Sequence, residues 1–229
     1  MTQLSSELIY PASEKLITKY TKQEKKVVRE TAEVYRDIVK PNFLDPMNMD
    51  HCNWIYSILS GEKEQENIIF QNEYFILEKD YKFNEGDIRT MYCLMMPIQR
   101  DLKTVRDLRA DHLPMLKSVR DESLKAIEEK WSLDPSKVRA YFHYLPTYYH
   151  LHVHFTHVDV KCDRAIVTLD EAISNIELMG DYYEKCSLTY QIGANMELTK
   201  ILIEKGIIKE EAQPKVDDVE EVKEVKQEE

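Results

Sequence analysis

Between His143 and His157 the chain reads HYLPTYYHLHVHFTH, which sets His150, His152 and His154 at alternate positions. Successive side chains of a β-strand point to opposite faces, so the three imidazoles are expected on one face and Leu151, Val153 and Phe155 on the other. A face of imidazoles can hold a divalent ion. It can also present a nucleophile held in one tautomer, with neighbouring rings donating hydrogen bonds to phosphate oxygens. Zinc asks for a third or fourth ligand, and no Cys-x-x-Cys or second histidine-rich segment occurs elsewhere. Histidines merely tolerated at a sheet surface are the remaining reading. The chain has only five glycines and neither a Walker loop nor Gly-x-Gly-x-x-Gly, which excludes a glycine-rich phosphate cradle. Phosphate contacts must come from side chains, with imidazoles and a lysine the candidates.

The elements around this segment predict an α+β domain. Ser13 can cap a helix on which Leu16, Tyr20, Val27, Tyr35 and Ile38 recur near helical spacing, ending before Pro41. Residues 1–46 are thus expected to form a helical arm, packed on its own domain or across a dimer partner. A second helix spans about Met49 to Leu59 and closes at Gly61. Short apolar runs at 68–70, 74–77 and 91–96 read as strands separated by polar turns. A helix capped by Asp111, with Pro114 in its first turn, runs to about Trp131. Two strands, 138–145 and 148–158, joined at Pro146-Thr147, are expected to pair antiparallel. Helices near 169–179 and 195–205 complete a domain placed at 47–206, an antiparallel sheet with flanking helices.

At 229 residues the chain can bury a sizeable core without disulfides. Its four cysteines, Cys52, Cys93, Cys162 and Cys186, lack paired spacing and read as free thiols, which suits a reducing cytosol or nucleus. No basic leader with an apolar stretch and no run of about eighteen apolar residues is found, so neither secretion nor a membrane span is expected. A net charge of −11 argues against a long nucleic-acid footprint and leaves room for a small nucleotide in a local pocket. Residues 207–229 form an acidic tail, expected to be disordered, with docking to a basic partner as the alternative.

The string His150-Leu-His152-Val-His154-Phe-Thr resembles the histidine triad motif, and with His143 and its flanks it looks like the signature of the scavenger mRNA decapping enzymes. RETAEVYR (29–36), NWIYSIL (53–59) and VRDLRADHLP (105–114) resemble the same subfamily in the same order, over about residues 13–206. The resemblance implies a histidine-triad-like sheet, a homodimer, no cofactor and no metal. It implies cleavage of the triphosphate bridge of m7GpppN remnants through a phosphohistidine intermediate. In that scheme His152 is the nucleophile, His154 bonds the phosphate, His150 helps to orient its neighbours, and His143 lines the pocket.

For the cap itself the resemblance assigns Trp54 and Glu64 to the base, Asp80 and Lys82 to base and phosphates, and Thr147 and Tyr148 to the pocket. A positively charged 7-methylguanine prefers an aromatic face and a carboxylate at its edge, gaining roughly 1–2 kcal/mol from stacking. Without the resemblance, Trp54 would read as a core aromatic and Glu64 as a solvated turn charge. Lys79 stands where the family usually has a proline, which frees the loop before Asp80, and Thr147 replaces a usual serine while keeping the hydroxyl. The family usually carries an amino-terminal domain that closes over the cap, and this chain begins shortly before the arm, so the lid is expected to be absent. The alternative function is a catalytically weak or inactive cap-binding dimer partner that regulates a full-length relative.

Overall fold

The computed structural model describes residues 24–209. Its first element is a strand, β1 (Lys25–Glu30), in which Val28 and Glu30 are buried while Val27 is 65% exposed. This alternation corrects the expected continuous helix. Val27 and Tyr35 fall near helical spacing, but each residue of β1 finds an antiparallel partner in β8 (Leu188–Gly193), which periodicity within one segment does not reveal. Ser13, Leu16 and Tyr20 lie outside the described residues. A helix, α1 (Ala32–Val34), does follow, with Thr31 Oγ1 accepting from the Val34 amide at 3.3 Å. It widens into π-helical turns over Tyr35–Leu44 and so passes the proline expected to end it. Asp45 N donates to Lys40 O at 2.8 Å, a spacing of five residues that accommodates Pro41, which has no N–H.

After a turn at Met49–Cys52 come α2 (Asn53–Leu59), β2 (Ile68–Gln71), β3 (Phe75–Lys79) and β4 (Tyr92–Pro97). The long helix α3 (Leu113–Trp131) begins one residue later than expected, after a turn at Ala110–His112, and keeps Pro114 in its first turn. The strands β5 (Val138–His143) and β6 (Val153–His157) pair antiparallel as expected. They are shorter than the expected 138–145 and 148–158, and residues 144–152 form a long loop in place of a turn at Pro146-Thr147. Next come β7 (Ile166–Thr168), α4 (Leu169–Leu178), α5 (Tyr182–Lys185), β8 and α6 (Glu197–Glu204). Thr168 and Glu171 start α4 with reciprocal bonds: the Glu171 amide donates to Thr168 Oγ1, and the Thr168 amide to Glu171 Oε2.

The main sheet runs in the order β2-β3-β4-β6-β5-β7 and every neighbouring pair is antiparallel, so the α+β expectation holds. One face turns Phe75, Leu77, Cys93, Met95, Val153 and Phe155 toward α3 and α4 in the principal core. On the opposite face α2 sets Ile55 and Ile58 against Leu94 and Met96 in a smaller one. The histidines lie on this second face, because His154 of β6 pairs directly with Leu94 of β4.

A buried polar network ties the peripheral elements to the sheet. Arg106 (1% exposed) donates from Nη2 to Glu30 Oε1 at 2.8 Å and from Nη1 to the carbonyls of Tyr183 and Cys186. Tyr144 and Tyr190 also donate to the Glu30 carboxylate, at 2.5 and 3.0 Å. With the charge paired and its donors used, the desolvation cost of the guanidinium is largely offset, whereas removing one partner exposes that cost in full.

Candidate active site

The histidine segment reaches its positions partly from a strand and partly from the loop before it. His154 lies within β6, while His150 and His152 precede Val153, so the alternation expected from one continuous strand is only partly realised. Leu151, Val153 and Phe155 do face the principal core, each nearly or fully buried. His150 stands apart from the other rings. Its Nε2 meets the Pro97 carbonyl at 2.9 Å and its ring packs edge-on against Tyr56.

His152 and His154 lie edge to face with centroids 4.9 Å apart, and His143 comes from β5 to within 4.5 Å of His154. Tyr148 packs 5.2 Å from His152, and Trp54, from α2, packs 5.2 Å from Tyr148. A continuous series of rings therefore links Trp54 to the imidazoles. Lys82 sits at its other end with Nζ 4.5 Å above the Tyr92 ring and 3.5 Å from Asp80. Thr147 is exposed and accepts from Arg164 Nη1 at 3.0 Å. Glu64, also exposed, lies just before a turn at Gln65–Asn67, with left-handed backbone at φ 55°. Its carboxylate adds to the negative charge around Glu78 rather than contacting the rings.

Hydrogen bonding settles what the central imidazole can do. His152 Nδ1 lies 2.7 Å from the His150 carbonyl oxygen, an acceptor only, so Nδ1 carries the proton and Nε2 keeps its lone pair. His150 thus orients its neighbour through its backbone. Burial, ahead of nearby positive charge, pushes His152 and His143 down to about 4 and lowers His150 and His154 as well. All four rings are neutral at pH 7, and a neutral imidazole is the nucleophilic form.

The Tyr92 hydroxyl meets His154 Nδ1 at 2.9 Å. Three buried ring nitrogens have no hydrogen-bond partner among the described residues: His143 Nδ1, His150 Nδ1 and His154 Nε2. Buried polar atoms rarely stay unpaired, so a ligand rich in acceptor oxygens fits His143 and His154 beside the His152 lone pair. Arg164 stands at the exposed edge of the cluster, held by Thr147 and by the Leu145 carbonyl, and its charge acts on His143, His152 and His154. Among the described residues no three of His, Cys, Asp or Glu are disposed to hold a metal ion.

Sequence reasoning missed Tyr92, Tyr141 and Arg164. Tyr141 stacks on His154 with centroids 5.5 Å apart and planes 26° apart. Tyr92 and Tyr141 become neighbours of His154 only through the registers of β4 and β5 against β6, and no local motif encodes a register.

Comparison with known proteins places this geometry. The family model described as "Scavenger mRNA decapping enzyme C-term binding" matches residues 53–167, a span that contains Trp54, Glu64, Lys82 and all four histidines of the cluster. An m7GpppX diphosphatase of Ascaris suum is 38% identical over 197 residues, covering 82% of this chain and 65% of the relative. That of Caenorhabditis elegans is 39% identical over 197 residues (82% and 62%), and that of Bos taurus 34% over 212 residues (89% and 62%). The chain spans a little less than two thirds of the length of these relatives. With the model matching half of its residues, around the same histidine cluster, the chain belongs to the scavenger mRNA decapping enzyme C-term binding family.

Proposed function

We propose that the chain is a scavenger decapping hydrolase that cleaves the triphosphate bridge of short m7GpppN remnants in mRNA decay. Its products are 7-methylguanosine monophosphate and a nucleoside diphosphate. The observation that carries this reading is the Nδ1 bond of His152 to the His150 carbonyl, which leaves a neutral ring with Nε2 free. Nε2 attacks the phosphorus joined to 7-methylguanosine. A P–N bond forms as the bond to the bridging oxygen breaks, and the nucleoside diphosphate leaves with the electron pair. Water then attacks the same phosphorus, its oxygen staying on the product with one hydrogen while the other leaves as a proton to solvent, the P–N bond breaks, and its electrons return to Nε2. Two displacements replace one harder one. His154 Nε2 and His143 Nδ1, both unpaired, serve as contacts to the phosphate oxygens, and Arg164 and Lys82 offset the bridge's negative charge. Trp54, half-buried beside Tyr148, offers its face to the methylated base, with Glu64 and Asp80 for its edge.

This reading also takes the protein as a homodimer working in the cytoplasm or nucleus. The first is what the family resemblance implies, and four unpaired cysteines, two of them buried, support a reducing compartment. Light scattering at micromolar concentration tests the dimer. The test of activity is product analysis after incubation with a 7-methylguanosine cap dinucleotide in chelator, beside His152→Asn. Release of 7-methylguanosine monophosphate by wild type alone is expected. Turnover by the variant would remove His152 as nucleophile, and binding without turnover by wild type would favour a cap-binding regulator.

A further inference from the structure

Glu78 is a buried acid that the mechanism above leaves unused. It lies in β3 opposite Leu94 of β4, and Leu94 lies opposite His154, so Glu78 shares the sheet face of the histidines. Leu94 in turn packs beneath α2, the helix that carries Trp54. The Glu78 side chain is 4% exposed and its Oε2 has no hydrogen-bond partner among the described residues. Its cross-strand neighbours, Ile68 and Leu94, are apolar and offer none. Nearby lysines are engaged: Lys79 with Glu85 at 2.8 Å and Lys82 with Asp80 at 3.5 Å. The ionisable groups that act on it are Glu64, from the turn after α2, and Asp80, beyond the end of β3.

Burial, followed by these two negative neighbours, holds the Glu78 carboxyl up at about 8, so it is protonated at neutral pH. A neutral buried acid among two carboxylates, with an oxygen left unpaired, is the environment that a cation reverses. Positive charge placed against it favours the carboxylate and gives Oε2 an electrostatic partner.

We propose that Glu78 is a specificity-determining residue of the base-binding end, deprotonating when a cationic methylated purine lies against Glu64, Asp80 and Glu78, and so discriminating against the uncharged purine. On binding, the Glu78 O–H bond breaks, its electron pair stays on the carboxylate, and the proton passes to the buffer. An uncharged guanine gives no such drive, and for it Glu78 stays an acid. This inference rests on the cap-binding reading of the site.

Isothermal titration calorimetry of wild type, Glu78→Gln and Glu78→Leu with 7-methylguanosine monophosphate and with GMP tests it. Titrations at about pH 6.5 in two buffers of different ionisation enthalpy also count the protons released. Wild type should prefer the methylated nucleotide and release about one proton more on binding it than on binding GMP. Glu78→Gln, which keeps shape without charge, should lose about tenfold of the preference together with the extra proton, the scale of one charge-assisted contact. Glu78→Leu decides in the same way if the glutamine variant fails to fold. Retention of either quantity by a folded variant overturns the assignment while leaving the cap site intact. Absence of any methyl preference in wild type overturns both.

Discussion

As the proposed nucleophile His152 must be neutral, and the burial that keeps it so makes the fold sensitive to acid. The residue is 4% exposed and its imidazole is pushed down to about 4 from the ordinary 6.5. In the unfolded chain the ring takes up its proton near 6.5, while in the folded protein it does not do so until about 4. Between these values the unfolded state binds more protons, so stability rises with pH across the window and is lost as pH falls from 6.5 toward 4. At about 1.4 kcal/mol for each pH unit, the contribution of His152 at pH 5 is about 2 kcal/mol. His152→Asn has no such titration. Between pH 7.5 and pH 5, wild type should therefore lose about 2 kcal/mol more stability than the variant, read from urea midpoints followed by tryptophan fluorescence. Parallel losses in the two proteins would refute a buried neutral His152. The same ring predicts a rate on cap dinucleotide with no acid limb near 6.5, where an exposed histidine nucleophile would already be half protonated.

Two further outcomes follow from the packing. Trp54→Ala should weaken binding of methylated over unmethylated guanine nucleotides by about tenfold, from roughly 1–2 kcal/mol of cation–π stacking, and equal losses for both ligands would make the ring purely structural. Arg106→Leu should cost about 3–5 kcal/mol of folding stability in urea titrations by leaving the Glu30 carboxylate buried without a cation, and a loss under 1 kcal/mol would show that the network is not a charge clamp.

What could be read from the chain alone was whatever sits within one segment. The turn of Leu151, Val153 and Phe155 toward the core and the place of α4, expected near 169–179, are local, and each follows from the spacing of apolar residues. The strand β1 was missed because its residues are satisfied by β8, some 160 positions on, as the Glu30–Tyr190 bond illustrates. The loop 144–152 hid similarly, since alternation of His150, His152 and His154 reads as strand until backbone pairing is known. His150 turns out to orient its neighbour through a carbonyl, and a main-chain role leaves no mark on residue type. Glu78 was passed over as one more charge in an acidic chain, since a sequence does not say which carboxyl is buried.

The Arg106 network also imposes an order in time. Its acidic partner, Glu30, is made long before it, but the carbonyls of Tyr183 and Cys186 and the Tyr190 hydroxyl lie far downstream. The full set of partners for the guanidinium therefore exists only once about residue 190 has been made, when β8 can pair with β1. Synthesis that stops short of α5 leaves a chain holding the complete histidine segment yet unable to seal the charge beneath Tyr144, at the root of the loop that carries His150 and His152. Such products should remain open to proteases, so limited proteolysis is expected to cut chains ending before α5 faster than chains that include β8.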